Sequence, residues 1–161
     1  MIRPHLLIIW HGRTGTCEAL AEAVLEGAGE GGRLLRSADT QPQDLRSAAA
    51  YLFICPENLG TISGEMKEMF DRCYYPVLGQ LNGSAYATII AAGSDGSGAQ
   101  RQIDRIVTGW RLRRVTEPWI VMTNAQAEED IMAPKVVNDG DLARARDLGE
   151  AMAQGVREGI F

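Results

Sequence analysis

The chain alternates short apolar runs with longer stretches whose apolar residues recur at helical spacing. Four runs stand out: His5–Trp10 (HLLIIW), Ala50–Cys55 (AYLFIC), Tyr86–Ala92 (YATIIAA) and Trp119–Met122 (WIVM). They are continuous rather than alternating, the pattern of parallel strands covered on both faces. Arg33–Arg36 (RLLR) is shorter and flanked by charge, as an edge strand is. Between the runs, Cys17, Ala21, Val24, Leu25 and Ala28 share one helical face, with Glu18, Glu22 and Glu26 off it. Met66, Met69, Phe70 and Cys73 repeat at helical spacing, as do Ile103, Ile106, Val107 and Trp110. A last stripe runs through Leu142, Ala145, Leu148, Met152 and Val156, with Asp139 or Asp141 as candidate N-caps. The Met and aromatic positions in these stripes read as core. Thr123–Asn138 has no clear period and reads as a surface loop after the last strand.

The order βαβαβαβαβα predicts a parallel sheet with helices on both faces and right-handed crossovers. A length of 161 residues suits one α/β domain over 1–161. With 45% hydrophobic and 23% charged residues, the chain has enough core to fold without disulfides or a structural metal. The net charge of −5 argues against nucleic acid as a partner, because such binding rests on clustered Lys and Arg. A small anion held by backbone N–H groups stays open. Cys17, Cys55 and Cys73 are odd in number and form no CxxC or Cys/His cluster, so they read as buried free thiols and no metal site is expected. Met1–Pro4 carries Arg3, and the apolar run ending at Trp10 is too short for a signal core. No run approaches the roughly 20 apolar residues of a membrane span. The expectation is a soluble, cytoplasmic protein.

Ligands of open α/β sheets sit beyond the carboxyl ends of the strands, which directs attention to the turns that follow them. The first turn is His11-Gly12-Arg13-Thr14-Gly15-Thr16-Cys17. Its glycines allow a tight bend, its threonines offer hydroxyls, and the following helix aims free N–H groups into it, a cradle for phosphate. The plainer reading is a strand-to-helix turn capped by Thr16. His11 reads either as a structural residue at the strand end or as a phosphate contact. GxxxxGK[ST] is missing, so this is not a nucleoside-triphosphate loop. Gly93–Gly98 (GSDGSG) has the glycine order GxxGxG and follows the fourth strand, which makes it a weak dinucleotide fingerprint. It suits close backbone approach to a flat ring. A phospho-accepting receiver lacks its acidic residue here, because the third strand ends in Cys55-Pro56. No cysteine has an arginine six positions later, as a small phosphatase requires. No GxSxG with a later histidine supports a serine hydrolase.

Taken in this order, the turns resemble the flavodoxin superfamily, and within it the NAD(P)H-dependent FMN reductase-like branch, over nearly the whole chain. That family's first turn reads roughly Ser/Thr-x-Thr-Gly-x-Thr. Thr14 and Gly15 match, Gly12 and Cys17 stand where hydroxyl residues are usual, and Thr16 is displaced by one position. Pro56-Glu57-Asn58-Leu59-Gly60, with Ser63-Gly64 and the helix through Asp71-Arg72, looks like the second loop, which lies along the isoalloxazine. Ala92-Gly93-Ser94-Asp95-Gly96-Ser97-Gly98 looks like the third loop, which closes over the ring.

The resemblance implies a flavodoxin-like three-layer α/β/α sandwich with a five-stranded parallel sheet of order 2-1-3-4-5. It implies noncovalent FMN held by His11–Cys17, by Pro56, Glu57, Asn58, Leu59 and Gly60, and by Gly93, Ser94, Asp95, Gly96 and Gly98. The flavin carries the chemistry, so no catalytic side chain is expected. Backbone N–H groups of Gly93–Gly98 or Glu57–Gly60 are expected to stabilise charge on the reduced ring. Glu57 and Asp95 read as loop caps or as catalytic carboxylates. The implied reaction passes hydride from NADH or NADPH through FMN to a quinone, flavin or similar acceptor. The alternatives are a flavodoxin-type electron carrier, whose acidic charge docks a redox partner protein, and a diverged chain without FMN. The carrier reading is disfavoured because PENLG and GSDGSG contain no aromatic to stack on the ring, although Tyr74, Trp110 or a partner subunit would still cover it. Related reductases pair subunits around the flavin edge, which implies a homodimer or higher homo-oligomer.

Overall fold

The computed structural model describes residues 3–161; Met1 and Ile2, which open the segment read for a leader, lie outside the described residues. Strand β1 (Leu6–Trp10) is buried at every position. Leu6, Ile8 and Trp10 enter one core and Leu7 and Ile9 the other. This two-sided burial is why the run is apolar at consecutive positions. Along the chain follow α1 (Thr16–Ala28), β2 (Gly32–Arg36), α2 (Pro42–Ser47), β3 (Ala50–Asn58) and β4 (Thr61–Ile62). After them come α3 (Gly64–Val77), β5 (Ala85–Ala92), α4 (Ser97–Gly109), β6 (Arg113–Arg114), β7 (Trp119–Met122), α5 (Glu128–Met132) and α6 (Asp139–Arg157).

The sheet runs β2-β1-β3-β5-β6, with β7 also pairing β5 and β4 added to β3. All pairs are parallel except the β3–β4 hairpin. β6 and β7 follow one another along β5, with Tyr86 opposite Arg114 and Ile89 opposite Trp119. The sheet therefore has the expected order 2-1-3-4-5, its fifth strand broken in two. Pro118 lies at the break and has no N–H to give to a ladder. β3 extends beyond the apolar run to Asn58, so the second loop is a hairpin that grows out of the sheet.

α1 and α6 cover one face with the first core, and α3 and α4 cover the other with the second, giving three layers. α1 and α6 cross at backbone contact: a Cβ on Gly27 would lie 1.9 Å from the Arg146 carbonyl oxygen, and one on Gly149 2.0 Å from that of Val24. The N-cap of α6 is Asn138, not Asp139 or Asp141; its Oδ1 accepts from the Asp141 N–H at 2.8 Å. Asp139 and Asp141 instead occupy the first turn, where their charge complements the helix dipole. No described helix is long and apolar enough to cross a membrane.

Candidate functional site

The parallel strands bring the turns after β1, β3 and β5 to one edge of the sheet, where they frame a cleft of about 700 Å³. That volume lies within the usual range of small-ligand sites. The first turn contributes Gly12, Arg13, Thr14, Thr16 and Cys17, and the second contributes Pro56, Glu57, Asn58 and Leu59. The end of β5 contributes Ala91, Ala92 and Gly93. Of the residues expected from the sequence, His11, Gly15, Gly60, Ser94, Asp95, Gly96 and Gly98 do not line it.

Gly15 precedes α1 in the left-handed region, with φ of 110°, and a Cβ there would sit 3.2 Å from the Lys135 carbonyl oxygen. Gly12 has its own steric reason, because a Cβ would meet Cys17 Cβ at 2.9 Å. Cys17 is buried, and burial pushes its thiol up to about 12, so it stays neutral beside the cleft. Thr16 does not cap α1 but begins it. Its hydroxyl is buried without a hydrogen-bond partner.

His11 closes β1 against its neighbours. Its N–H donates to the Ile54 carbonyl at 3.0 Å, and its Nδ1 shares a 2.8 Å hydrogen bond with the buried Ser63 hydroxyl. Its Nε2 lies 3.3 Å from Glu65. Burial lowers the His11 pKa, outweighing the opposing pull of Glu65. Arg13 reaches over to pair with the same Glu65, which is held below the usual carboxylate range chiefly by that hydrogen bond.

The second and third turns are joined by Glu57. Its two oxygens accept from the N–H groups of Gly96 at 2.9 Å and Ala99 at 3.0 Å, so a strand residue caps α4. A Cβ on Gly98 would fall 2.1 Å from the Gly60 carbonyl oxygen, which requires glycine where the hairpin meets the helix. Asp95 accepts from the Ser97 N–H at 3.1 Å, and that bonding lowers its pKa. Both carboxylates are therefore engaged in loop capping.

The sequence did not point to the last wall. Thr123, Ala125, Ile131, Met132 and Lys135 line the cleft from the segment that had read as a plain surface loop. This segment crosses the cleft as a strap. A Cβ on Gly93 would meet the Ala125 carbonyl oxygen at 2.7 Å, and the Lys135 N–H donates to the Thr14 carbonyl at 2.6 Å. Thr123 was within reach of reasoning, since it follows a strand that ends at the same edge. Trp110 packs against Phe70 in the core, and the tilted pair Tyr74 and Tyr75 does not line the cleft, so neither Tyr74 nor Trp110 covers it.

Residues 37–127, more than half of the chain, match the family described as NADPH-dependent FMN reductase. A flavodoxin of Aquifex aeolicus (strain VF5) is 29% identical over 107 residues, covering 64% of this chain and 58% of that protein. The chain thus spans little more than half the length of that relative. Among solved structures, a flavodoxin from the domain Archaea superposes with a TM-score of 0.77 at 16% identity, covering 95% of this chain and 99% of that one. A flavodoxin, WrbA-like protein from Agrobacterium tumefaciens gives a TM-score of 0.71 at 19% identity, over 96% and 98%. At these identities the likeness to solved structures carries the fold alone.

Proposed function

This chain belongs to the NADPH-dependent FMN reductase family, and from that premise we propose that its cleft binds FMN noncovalently. We further propose that NADH or NADPH reduces the bound flavin for a quinone, a free flavin or a similar acceptor. One observation carries the reading. Thr16 is 6% exposed, lines the cleft, and has an unpartnered hydroxyl. An unpaired buried hydroxyl costs about 1–3 kcal/mol, which a phosphate oxygen at this point removes. Gly15 offers no side-chain cap, so the leading N–H groups of α1 stay open to the same anion.

Thr14, Thr16 and these N–H groups would hold the phosphate, while Leu59, Ile131 and Met132 supply apolar walls for the ring. Leu59 is fully exposed at the hairpin tip with φ of 54°, a strained conformation for a bulky residue and one that suits a binding role. When bound, FMN supplies the hydride chemistry, so no side chain here has to act as acid or base. Glu57 and Asp95 occupy the N–H groups of Gly96, Ser97 and Ala99. Stabilisation of negative charge on the ring therefore falls to Gly93 and the hairpin tip. Among the described residues no aromatic side chain lines the cleft, which leaves a ring face for nicotinamide and favours the reductase over a carrier.

The test is to load the protein with FMN, remove oxygen, and add NADPH or NADH. Rapid bleaching of the flavin's visible absorbance is expected. A retained flavin that dithionite bleaches and nicotinamide does not would identify a carrier instead. Failure to retain FMN in excess would remove the cofactor assignment.

A further inference from the structure

The phosphate turn of this chain lacks two hydroxyls, at Gly12 and Cys17, yet it must neutralise a doubly charged group if the FMN reading above holds. Arg13 is the obvious cation, but it already faces the Glu65 carboxylate. Cys17 carries a buried neutral thiol, a weak donor. The other cation lining the cleft is Lys135. Its Nζ donates to the carbonyls of Ala133 at 2.6 Å and Ile131 at 3.1 Å, and among the described residues no carboxylate pairs with it.

Main-chain contacts fix where this lysine sits. Its N–H is bonded to the Thr14 carbonyl, and its own carbonyl lies against Gly15. The backbone is thereby fastened to the phosphate turn, and the side chain is the adjustable part. Lys135 also lines a second cavity of about 130 Å³, shared with Thr16. Thr16, with its unpartnered hydroxyl, and Lys135, with no carboxylate partner, therefore line the same space, beside the open N-terminus of α1. We infer that Lys135, reaching in from the strap, is the counter-ion of the FMN phosphate and replaces the hydroxyls missing at Gly12 and Cys17. The inference rests on FMN being the ligand. It adds a binding residue from outside the three turns.

FMN and riboflavin differ only in the phosphate, so their affinities read this contact directly. The apoprotein and its Lys135→Met and Lys135→Arg variants are titrated with both flavins by fluorescence quenching, with thermal melts as the folding control. Lys135→Met is expected to weaken FMN about tenfold or more, the scale of one charge-assisted hydrogen bond, and to leave riboflavin unchanged. Lys135→Arg should restore most of the FMN affinity, and added salt should weaken FMN more in the wild type than in Lys135→Met. Equal loss of both flavins, or no loss of either, would overturn the assignment. So would an unchanged FMN-to-riboflavin ratio with a raised KM for NADPH over NADH, since that places the lysine on the nicotinamide nucleotide. A wild-type protein that binds neither flavin overturns the FMN reading itself, whereas FMN binding indifferent to Lys135 overturns only this assignment.

Discussion

At the scale of single residues, Glu57 and His11 decide how the binding turns are held. Glu57 satisfies two leading N–H groups of α4 from a neighbouring strand, a role that normally belongs to an N-cap. Glu57→Ala is expected to lower unfolding stability by about 2 kcal/mol and to weaken FMN binding, with Glu57→Gln intermediate because its amide keeps one acceptor. Urea unfolding read beside a flavin titration checks both. His11 predicts a pH dependence. Its folded pKa lies below the ordinary histidine value of 6.5, so the unfolded chain takes up this proton first as the medium acidifies. The stability contributed by neutral His11 is then complete above about pH 6.5 and is lost as pH falls through the lowered folded value. Glu65, also lowered, acts in the same direction further into acid. Urea midpoints should be level above neutrality and fall below it, and His11→Asn should flatten the upper part of that fall. An identical profile in the variant would show that His11 does not set it.

At the scale of elements, the close crossing of α1 and α6 steadies the helix whose N-terminus opens on the cleft. Gly149→Ala would push a methyl into the Val24 carbonyl, and overpacking of this kind costs about 1–3 kcal/mol. Denaturant unfolding should show the loss, and an unchanged midpoint would mean that the helices separate without cost. The four main strands were legible because burial on both faces leaves continuous apolar runs. The β3–β4 hairpin was not. Its turn places Leu59 and Gly60 at φ of 54° and 81°, and a leucine there gives none of the Asn-Gly or Asp-Gly signal that marks such turns. β6 escaped notice because Arg113-Arg114 is charged, as an edge strand can be. The strap had no period to find. It is held by backbone bonds to sequence-distant positions, Lys135 to Thr14 and Thr123 to Ala92, and no local pattern encodes those.

At the scale of the whole molecule, sheet order turns separate loops into one site. The strand order puts the three turns and the strap on the same edge, so the first three walls of the cleft could be anticipated from sequence and the fourth could not. Two expected residues proved to be supports rather than walls: Gly98 leaves room for the Gly60 carbonyl oxygen, and Gly60 turns the hairpin at φ of 81°. The match to the reductase family begins at Ser37, after the first turn, so the phosphate site proposed there rests on the turn's own geometry. Thr16 is where it can be tested. Thr16→Val keeps the shape and removes the unpartnered hydroxyl, so the apoprotein should melt at the same temperature or higher. Its dissociation constant for FMN should rise about tenfold while that for riboflavin stays level. A Thr16→Val protein that binds FMN as tightly as the wild type would contradict the placement of the phosphate at the head of α1.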